Sequence, residues 1–333
     1  MGHEVRQPFN ERNRDLIVNV NGTLVHRDEA GISPFDSVVQ GGDAVWEGLR
    51  LYDGRIFKLR EHLARLRSSA LALAFAEIPP DEEIIEEIRR TLAANGMRDG
   101  VHIRLTLTRG VKVTSGMDPR LNRSGPTLIV LAEHKAPVYE RAGLKLITSS
   151  LRRFGPDTLD PKIHHANLLQ SILAKIEANA AGADDALMLD GNGFIAETNA
   201  THLFFVRDGV AMTSRTVACP EGITRATVLE LCAEHDIPSR VKDLSLNRGL
   251  PRRRGVLHRH DGRTRECDGN RRTDHRRRVA GAAHEAARRP LPGCHRARRS
   301  RRGWPRDLVS LAGASILRPS TSVRAGLRDY SGL

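Results

Sequence analysis

The feature that most constrains this chain is a break near Leu246. Up to that point apolar residues recur at helix or strand spacing in one segment after another; beyond it the periodicity stops and arginine clusters take over. Residues 247–333 contain 23 Arg, no Lys and 7 acidic residues, whereas residues 1–246 carry 30 basic and 33 acidic side chains. The formal net charge of +13 is therefore a property of the last segment alone. So little apolar surface does not offset chain entropy. Residues 247–333 are expected to be an arginine-rich disordered tail, and the fold has to come from residues 1–246.

That length allows two ordinary domains with a sizeable core. No run reaches the roughly 18 apolar residues of a membrane span, and Met1-Gly2-His3-Glu4 does not open a basic-then-apolar secretory leader, so a cytoplasmic protein without membrane partners is expected. The four cysteines, Cys219, Cys232, Cys267 and Cys294, lack paired metal-ligand spacing and read as reduced thiols.

Asn21-Gly22 between two alternating runs marks a hairpin, and Asp53-Gly54 marks another. Leu59 to Phe75 repeats apolar residues at helical spacing; Pro79-Pro80 ends it, and Asp81 opens a second helix to about Asn95. Val101 to Arg109 and Thr127 to Ala132 read as strands. After a connector at residues 136–143, Leu144 to Ser149 opens a second set of elements. A helix over Asn167 to Ala181 carries Leu168, Leu169, Ile172, Leu173 and Ile176 on one stripe. Strands follow around 185–189, 194–197, 202–206 and 210–213, then a helix over Ala226 to His235 and a strand from Val241. The expectation is an α+β fold of two domains, residues 1–135 and 144–246.

Four stretches carry chemistry. Lys162 follows Pro161 at the entrance to a helical pattern, and a lysine becomes a nucleophile when burial or a neighbouring cation helps its amine shed a proton. Arg60 lies at the start of the long first helix. Glu197 ends a strand in Phe194-Ile195-Ala196-Glu197-Thr198-Asn199. Pro220-Glu221-Gly222-Ile223-Thr224-Arg225 opens a helix, where free N–H groups and the helix dipole suit a phosphate. Each has a plain structural alternative: a solvated lysine, a helix-start arginine, an exposed strand-end carboxylate, an ordinary helix cap. His164 and His165 beside the lysine lack a placed carboxylate and do not read as metal ligands.

Together with Gly41-Gly42-Asp43-Ala44-Val45-Trp46-Glu47-Gly48 and Phe57-Lys58-Leu59-Arg60-Glu61-His62-Leu63-Ala64-Arg65-Leu66, these stretches resemble the class IV pyridoxal-phosphate aminotransferases of fold type IV, the branched-chain and D-amino-acid group. The resemblance covers about residues 14–246. It implies a small N-terminal domain and a larger C-terminal pseudo-barrel, a pyridoxal 5'-phosphate cofactor, amino acid and 2-oxo acid substrates, and a homodimer. It gives Lys162 the covalent link to the cofactor aldehyde and the later proton transfer between Cα and C4′. It gives Arg60, Ile223 and Thr224 the phosphate, and Glu197 the pyridine nitrogen, which it keeps protonated so that the ring draws electrons. Asn167 stands where several relatives carry a tyrosine that supports the ring oxygen; helix capping is its other role. Trp46 corresponds to a side-chain pocket position that core packing explains nearly as well. Arg104 corresponds to a position near the substrate carboxylate, and a solvent-facing strand arginine fits equally.

After Leu246 the resemblance implies a strand and a Thr-Gly-Thr-like loop completing the phosphate cradle, where this chain has arginines. Synonymous codons for Asn247 to Arg276, read one base later, can spell Thr-Glu-Val-Tyr-Arg-Ala-Asp-Glu-Val-Phe-Cys-Thr-Gly-Thr and onward, which looks like the family continuation. A one-base insertion near codon 246, in the gene or its sequencing, accounts for this. The expected activity is transamination with branched-chain L-amino acids as first candidates. D-amino-acid transamination, an aminodeoxychorismate lyase reaction and an impaired transaminase remain open beside it. A different class of function, nonspecific nucleic-acid binding through the basic tail, lacks aromatic residues for base stacking beyond Trp304 and Tyr330.

Overall fold

Asn21 and Gly22 turn the chain with positive φ at both, 49° and 77°, and join β1 (Ile17–Val20) to β2 (Thr23–His26) with Val20 opposite Thr23. This computed structural model describes residues 8–136, 144–249, 279–283 and 311–317. The connector expected at residues 136–143 thus falls almost wholly outside the described residues. A short helix absent from the sequence expectation, α1 (Ser37–Gly41), starts at Asp36, whose side chain accepts from the Val38 N–H. Then follow β3 (Ala44–Tyr52), β4 (Arg55–Ile56), α2 (Leu59–Ala72), α3 (Asp81–Ala94), β5 (Val101–Thr108) and β6 (Thr127–His134). Helix α2 stops before Phe75 because the chain turns at Ala74, where φ is 53°.

The six strands form one sheet, ordered β2-β1-β6-β5-β3-β4, and every neighbouring pair is antiparallel. Strand alternation sorts the two faces. Val45, Leu49, Leu51, Val101, Ile103, Leu105 and Leu107 pack against Leu63 and Leu66 of α2 and Ile84 and Ile88 of α3. Each such burial is worth about 1.5–3 kcal/mol, so this face holds the first unit together. Trp46, Gly48 and Arg50 with His102, Arg104 and Thr106 take the other, half-buried face.

The second unit begins with β7 (Leu146–Arg152), α4 (Leu169–Ala180), β8 (Asp185–Leu189), β9 (Ile195–Thr198), β10 (Leu203–Arg207) and β11 (Val210–Thr213). It continues with α5 (Ile223–Glu234), β12 (Ser239–Val241) and α6 (Leu246–Gly249). Strands β7-β8-β9 make a three-stranded sheet, while β12-β11-β10 lie in a second one. The packing of α4 corrects the sequence expectation. Ala174 and Ala178 face β7 and β8, whereas Leu169, Ile172, Leu173 and Ile176 are 60, 53, 42 and 55% exposed. Small residues win the inner face because they let the helix lie close on the sheet.

Two short runs of the last segment are among the described residues. β13 (Val279–Ala283) and β14 (Leu311–Leu317) extend the second sheet to β12-β11-β10-β14-β13. These two runs, Val-Ala-Gly-Ala-Ala and Leu-Ala-Gly-Ala-Ser-Ile-Leu, are free of arginine, and β14 pairs in parallel with β10. The remainder of the tail, and with it the nucleic-acid alternative, lies outside the described residues.

Candidate active site

Lys162 stands in the irregular stretch between β7 and α4, and the first unit holds that stretch in place. The start of β3 has β5 on one side and an open edge on the other, because β4 pairs only with Leu51 and Tyr52. Residues 164–166 meet this edge at a single bridge. Val45 and His165 form an antiparallel bridge; the Trp46 N–H donates to the His164 carbonyl at 3.0 Å and the Ala166 N–H to the Ala44 carbonyl at 2.8 Å. The indole N–H of Trp46 donates to the His165 carbonyl at 3.0 Å. Asp160 accepts the Lys162 N–H at 2.9 Å. The half-buried Lys162 amine then donates to the carbonyl of Thr216 and, at 3.5 Å, to that of Cys219. Its acceptors are backbone dipoles just before α5, not a carboxylate.

Glu197 sits on β9, 4% exposed. Burial pushes its pKa up to about 6, and the Arg153 guanidinium, 2.8 Å away, pulls against that rise. Arg153 is itself fixed by the Ser171 hydroxyl at 3.0 Å and the Thr198 carbonyl at 2.9 Å. His202 lies 3.8 Å from the other Glu197 oxygen. Burial, then the charges of Arg225, Arg65 and Arg153, press His202 down to about 3, so it is neutral. The buried Cys219 thiol marks where these groups converge: besides burial, it feels Glu197, Arg225, Lys162 and Arg153, with a pKa pushed up to about 12.

The start of α5 forms the next wall. Its N-cap is Gly222, extended at φ −68°, ψ 121°, and no side chain caps it. A Cβ on Gly222 would stand 2.3–2.4 Å from the His202 ring. Nearby, Arg225 donates to the Ser214 carbonyl at 2.8 Å, while its Nε and the Ser214 hydroxyl are buried without a hydrogen-bond partner. Arg65 of α2 reaches across to the Glu221 carbonyl at 2.8 Å.

Arg65 is held from behind. Glu47 is fully buried on the helix-facing side of β3 and takes Arg65 in two bonds, 2.8 and 2.7 Å, and His62 in a third at 2.6 Å. Burial raises the Glu47 pKa, but hydrogen bonds from Arg65 and His62 and the nearby charges bring it below the usual carboxylate range. On the opposite face of β3, Arg104 lies over the Trp46 ring at 3.8 Å, a cation–π contact.

The structure thus brings together Lys162, Glu197, Ile223 and Thr224, with Trp46 and Arg104 along the adjoining sheet face. It does not bring in Arg60, which is exposed on α2; the arginine that reaches α5 is Arg65. Asn167 is exposed and leaves α4 without a side-chain cap, since the N-cap residue is Leu168. Sequence reasoning missed Arg65, Glu47, Arg153 and His202. The first had a signal: Lys58, His62, Arg65 and Ser69 fall on one helical stripe, and all four bond across that face. Glu47 and Arg153 had none, being charged residues inside apolar or basic runs. An uncapped helix start with a cationic rim suits an anion, and an amine among carbonyls suits an electrophilic carbon. Among the described residues no group of three His, Cys, Asp or Glu could hold a metal ion.

Comparison with known proteins shows which family the chain resembles over most of its described length. The family described as amino-transferase class IV matches residues 44–248. Branched-chain-amino-acid aminotransferase-like protein 2 of Arabidopsis thaliana is 56% identical over 236 residues, 71% of this chain; the chain spans 42% of that relative's length. The branched-chain-amino-acid aminotransferase of Pseudomonas aeruginosa is 32% identical over 241 residues, covering 67% of this chain and 74% of the relative. Among solved structures, a branched-chain amino acid aminotransferase complexed with N-(5'-phosphopyridoxyl)-L-glutamate aligns with a TM-score of 0.64 at 35% identity, over 70% of this chain and 78% of that one. The branched-chain aminotransferase of the archaeon Thermoproteus uzoniensis, solved with norvaline, aligns with a TM-score of 0.63 at 28% identity, over 70% of this chain and 79% of that one.

Proposed function

Because this chain belongs to the class IV aminotransferases, with the mixed α/β fold type IV of its structural neighbours, we propose that it transfers an amino group between an amino acid and a 2-oxo acid with pyridoxal 5'-phosphate as cofactor. Branched-chain L-amino acids are the first substrates to try, in line with the relatives' names. The observation that carries the reading is the convergence of one amine, Lys162, one buried carboxylate, Glu197, and one uncapped helix start at Gly222. The residues fit the cofactor: the orphaned Ser214 hydroxyl and Arg225 Nε lie beside a helix start that lacks a cap. When bound, the group supplies an aldehyde for an amine and a ring that withdraws electrons from the substrate Cα.

The chain's own residues do the rest. Ile223 and Thr224 offer N–H groups, and Arg65 a guanidinium, to the phosphate. Arg153 holds Glu197 in its ionised form, the form that accepts a hydrogen bond from a protonated ring nitrogen. With the cofactor bound, the Lys162 amine would move the proton at the substrate Cα as a general base and acid. Arg104 offers its charge to a substrate carboxylate beside Trp46. Adding pyridoxal phosphate to the purified chain is expected to give a visible absorbance band that Lys162→Ala abolishes, with at least a thousandfold loss of amino-group transfer. A band of equal intensity in the variant would refute this assignment.

A second reading, an impaired transaminase, rests on where the family match stops. It ends at residue 248, the point at which the arginine-rich composition begins. In that reading the one-base insertion near codon 246 removed the last wall of the phosphate cradle. No band at saturating cofactor in the chain as written favours it.

A further inference from the structure

We infer that His164 is a positioning residue, one that locks the Lys162 segment onto the edge of β3 and so sets where the amine stands relative to the sheet face of Trp46 and Arg104. This rests on the proposed role of Lys162. His164 has contacts on every side. Its N–H donates to the Ser69 hydroxyl of α2 at 3.0 Å, and its carbonyl accepts the Trp46 N–H at 3.0 Å. Its ring Nδ1 donates to the Trp46 carbonyl, and the ring stacks on the indole with centroids 4.5 Å apart and planes at 27°. The same nitrogen lies 3.5 Å from Glu47, the carboxylate that holds Arg65. One side chain therefore touches both faces of β3, indole on one side and carboxylate on the other.

The consequence follows from chain geometry. Lys162 is two residues from His164, and residues 160–163 form a turn, with the Lys162 N–H on the Asp160 side chain and the Ile163 N–H on the Asp160 carbonyl, rather than part of a helix or sheet. The backbone bonds of residues 164 and 166 to β3 are too few to hold an edge segment rigid by themselves. The imidazole adds a donor whose partner is Trp46 itself, so a shift of Trp46 shifts the lysine segment with it. A misplacement of about 1 Å near the reacting atoms can cost a hundredfold in rate; a loosened segment, which still samples the right place, loses less.

The test compares His164→Ala, His164→Asn, which keeps a donor near the Nδ1 position, and His164→Phe, which keeps the ring alone. Hydrogen–deuterium exchange on the cofactor-free protein reads the clasp directly: the amides of Trp46, His164 and Ala166 are expected to exchange at least tenfold faster in His164→Ala and to recover in His164→Asn, with unchanged urea midpoints. In the cofactor-loaded enzyme, kcat is expected to fall about tenfold with KM within threefold, and Asn is expected to rescue more than Phe. Unchanged exchange in His164→Ala, a loss confined to KM, or rescue by Phe equal to that by Asn would each overturn the assignment. If His164→Ala does not fold, the Asn and Phe variants decide. If the wild-type chain shows no amino-group transfer, that failure belongs to the proposed function. The rate at which a small amine-reactive reagent labels Lys162 in the cofactor-free protein then decides on position: a change of threefold or more in His164→Phe supports the clasp, and an unchanged rate sinks it.

Discussion

Arg60 and Arg65 both belong to the same family-like stretch of α2, yet only one turns toward the site. Five residues on an α-helix rotate a side chain by about 140°, which leaves Arg60 exposed while Arg65 meets Glu47 and the Glu221 carbonyl. Replacing Arg65 by Ala is therefore expected to weaken pyridoxal phosphate binding at least tenfold while changing the affinity for pyridoxal, which lacks the phosphate, by less than threefold. Arg60→Ala should stay within twofold for both, and titration by absorbance checks all four values. The motif was legible in the sequence; the facing of its arginines was not, because a linear stretch gives spacing without the rotational phase that packing sets. Glu197 and the start of α5 were legible as positions. Their electrostatic state was not, since it depends on Arg153 and His202, one distant in sequence and the other disguised as a strand start.

At the scale of elements, the Asn-Gly and Asp-Gly turns are legible because turn chemistry is local, while the first half of β3, Ala44 to Glu47, carries no such signal and is not. Helix α4 was found but turned inside out, since its alanines, not its larger apolar residues, face the sheet. The start of α5 gives the sharpest element-level prediction. Gly222 is needed there for space and not for conformation, as its φ is negative while the His202 ring occupies the place of a side chain. Gly222→Ala is expected to cost about 1–3 kcal/mol through overpacking. Gly222→Ala combined with His202→Ala should recover most of it, read from urea midpoints. Additive losses in the double variant would show that the two residues do not compete.

For the whole molecule, the decisive feature is the change of composition after Leu246 together with the exposed Leu169, Ile172, Leu173 and Ile176 on α4. Scattered exposed apolar residues are ordinary, whereas four on one stripe form a contiguous apolar patch, and we propose that a second copy of the chain covers it. Deleting one base near codon 246 is expected to yield a chain that binds pyridoxal phosphate at least tenfold more tightly than the chain as written and sediments as a dimer. Equal affinity and equal mass for the two chains would count against the altered frame. Nucleotide sequencing of codons 244–250 from a fresh isolate gives an independent check.

The docking of residues 164–166 on β3 has one more consequence. The start of that strand would otherwise present unpaired N–H and C=O groups at the margin of a largely apolar sheet, the kind of border on which another chain can grow a strand. The segment that carries Lys162 also covers part of that border. Damage to its seating would therefore lower the yield of soluble protein as well as the rate of any reaction.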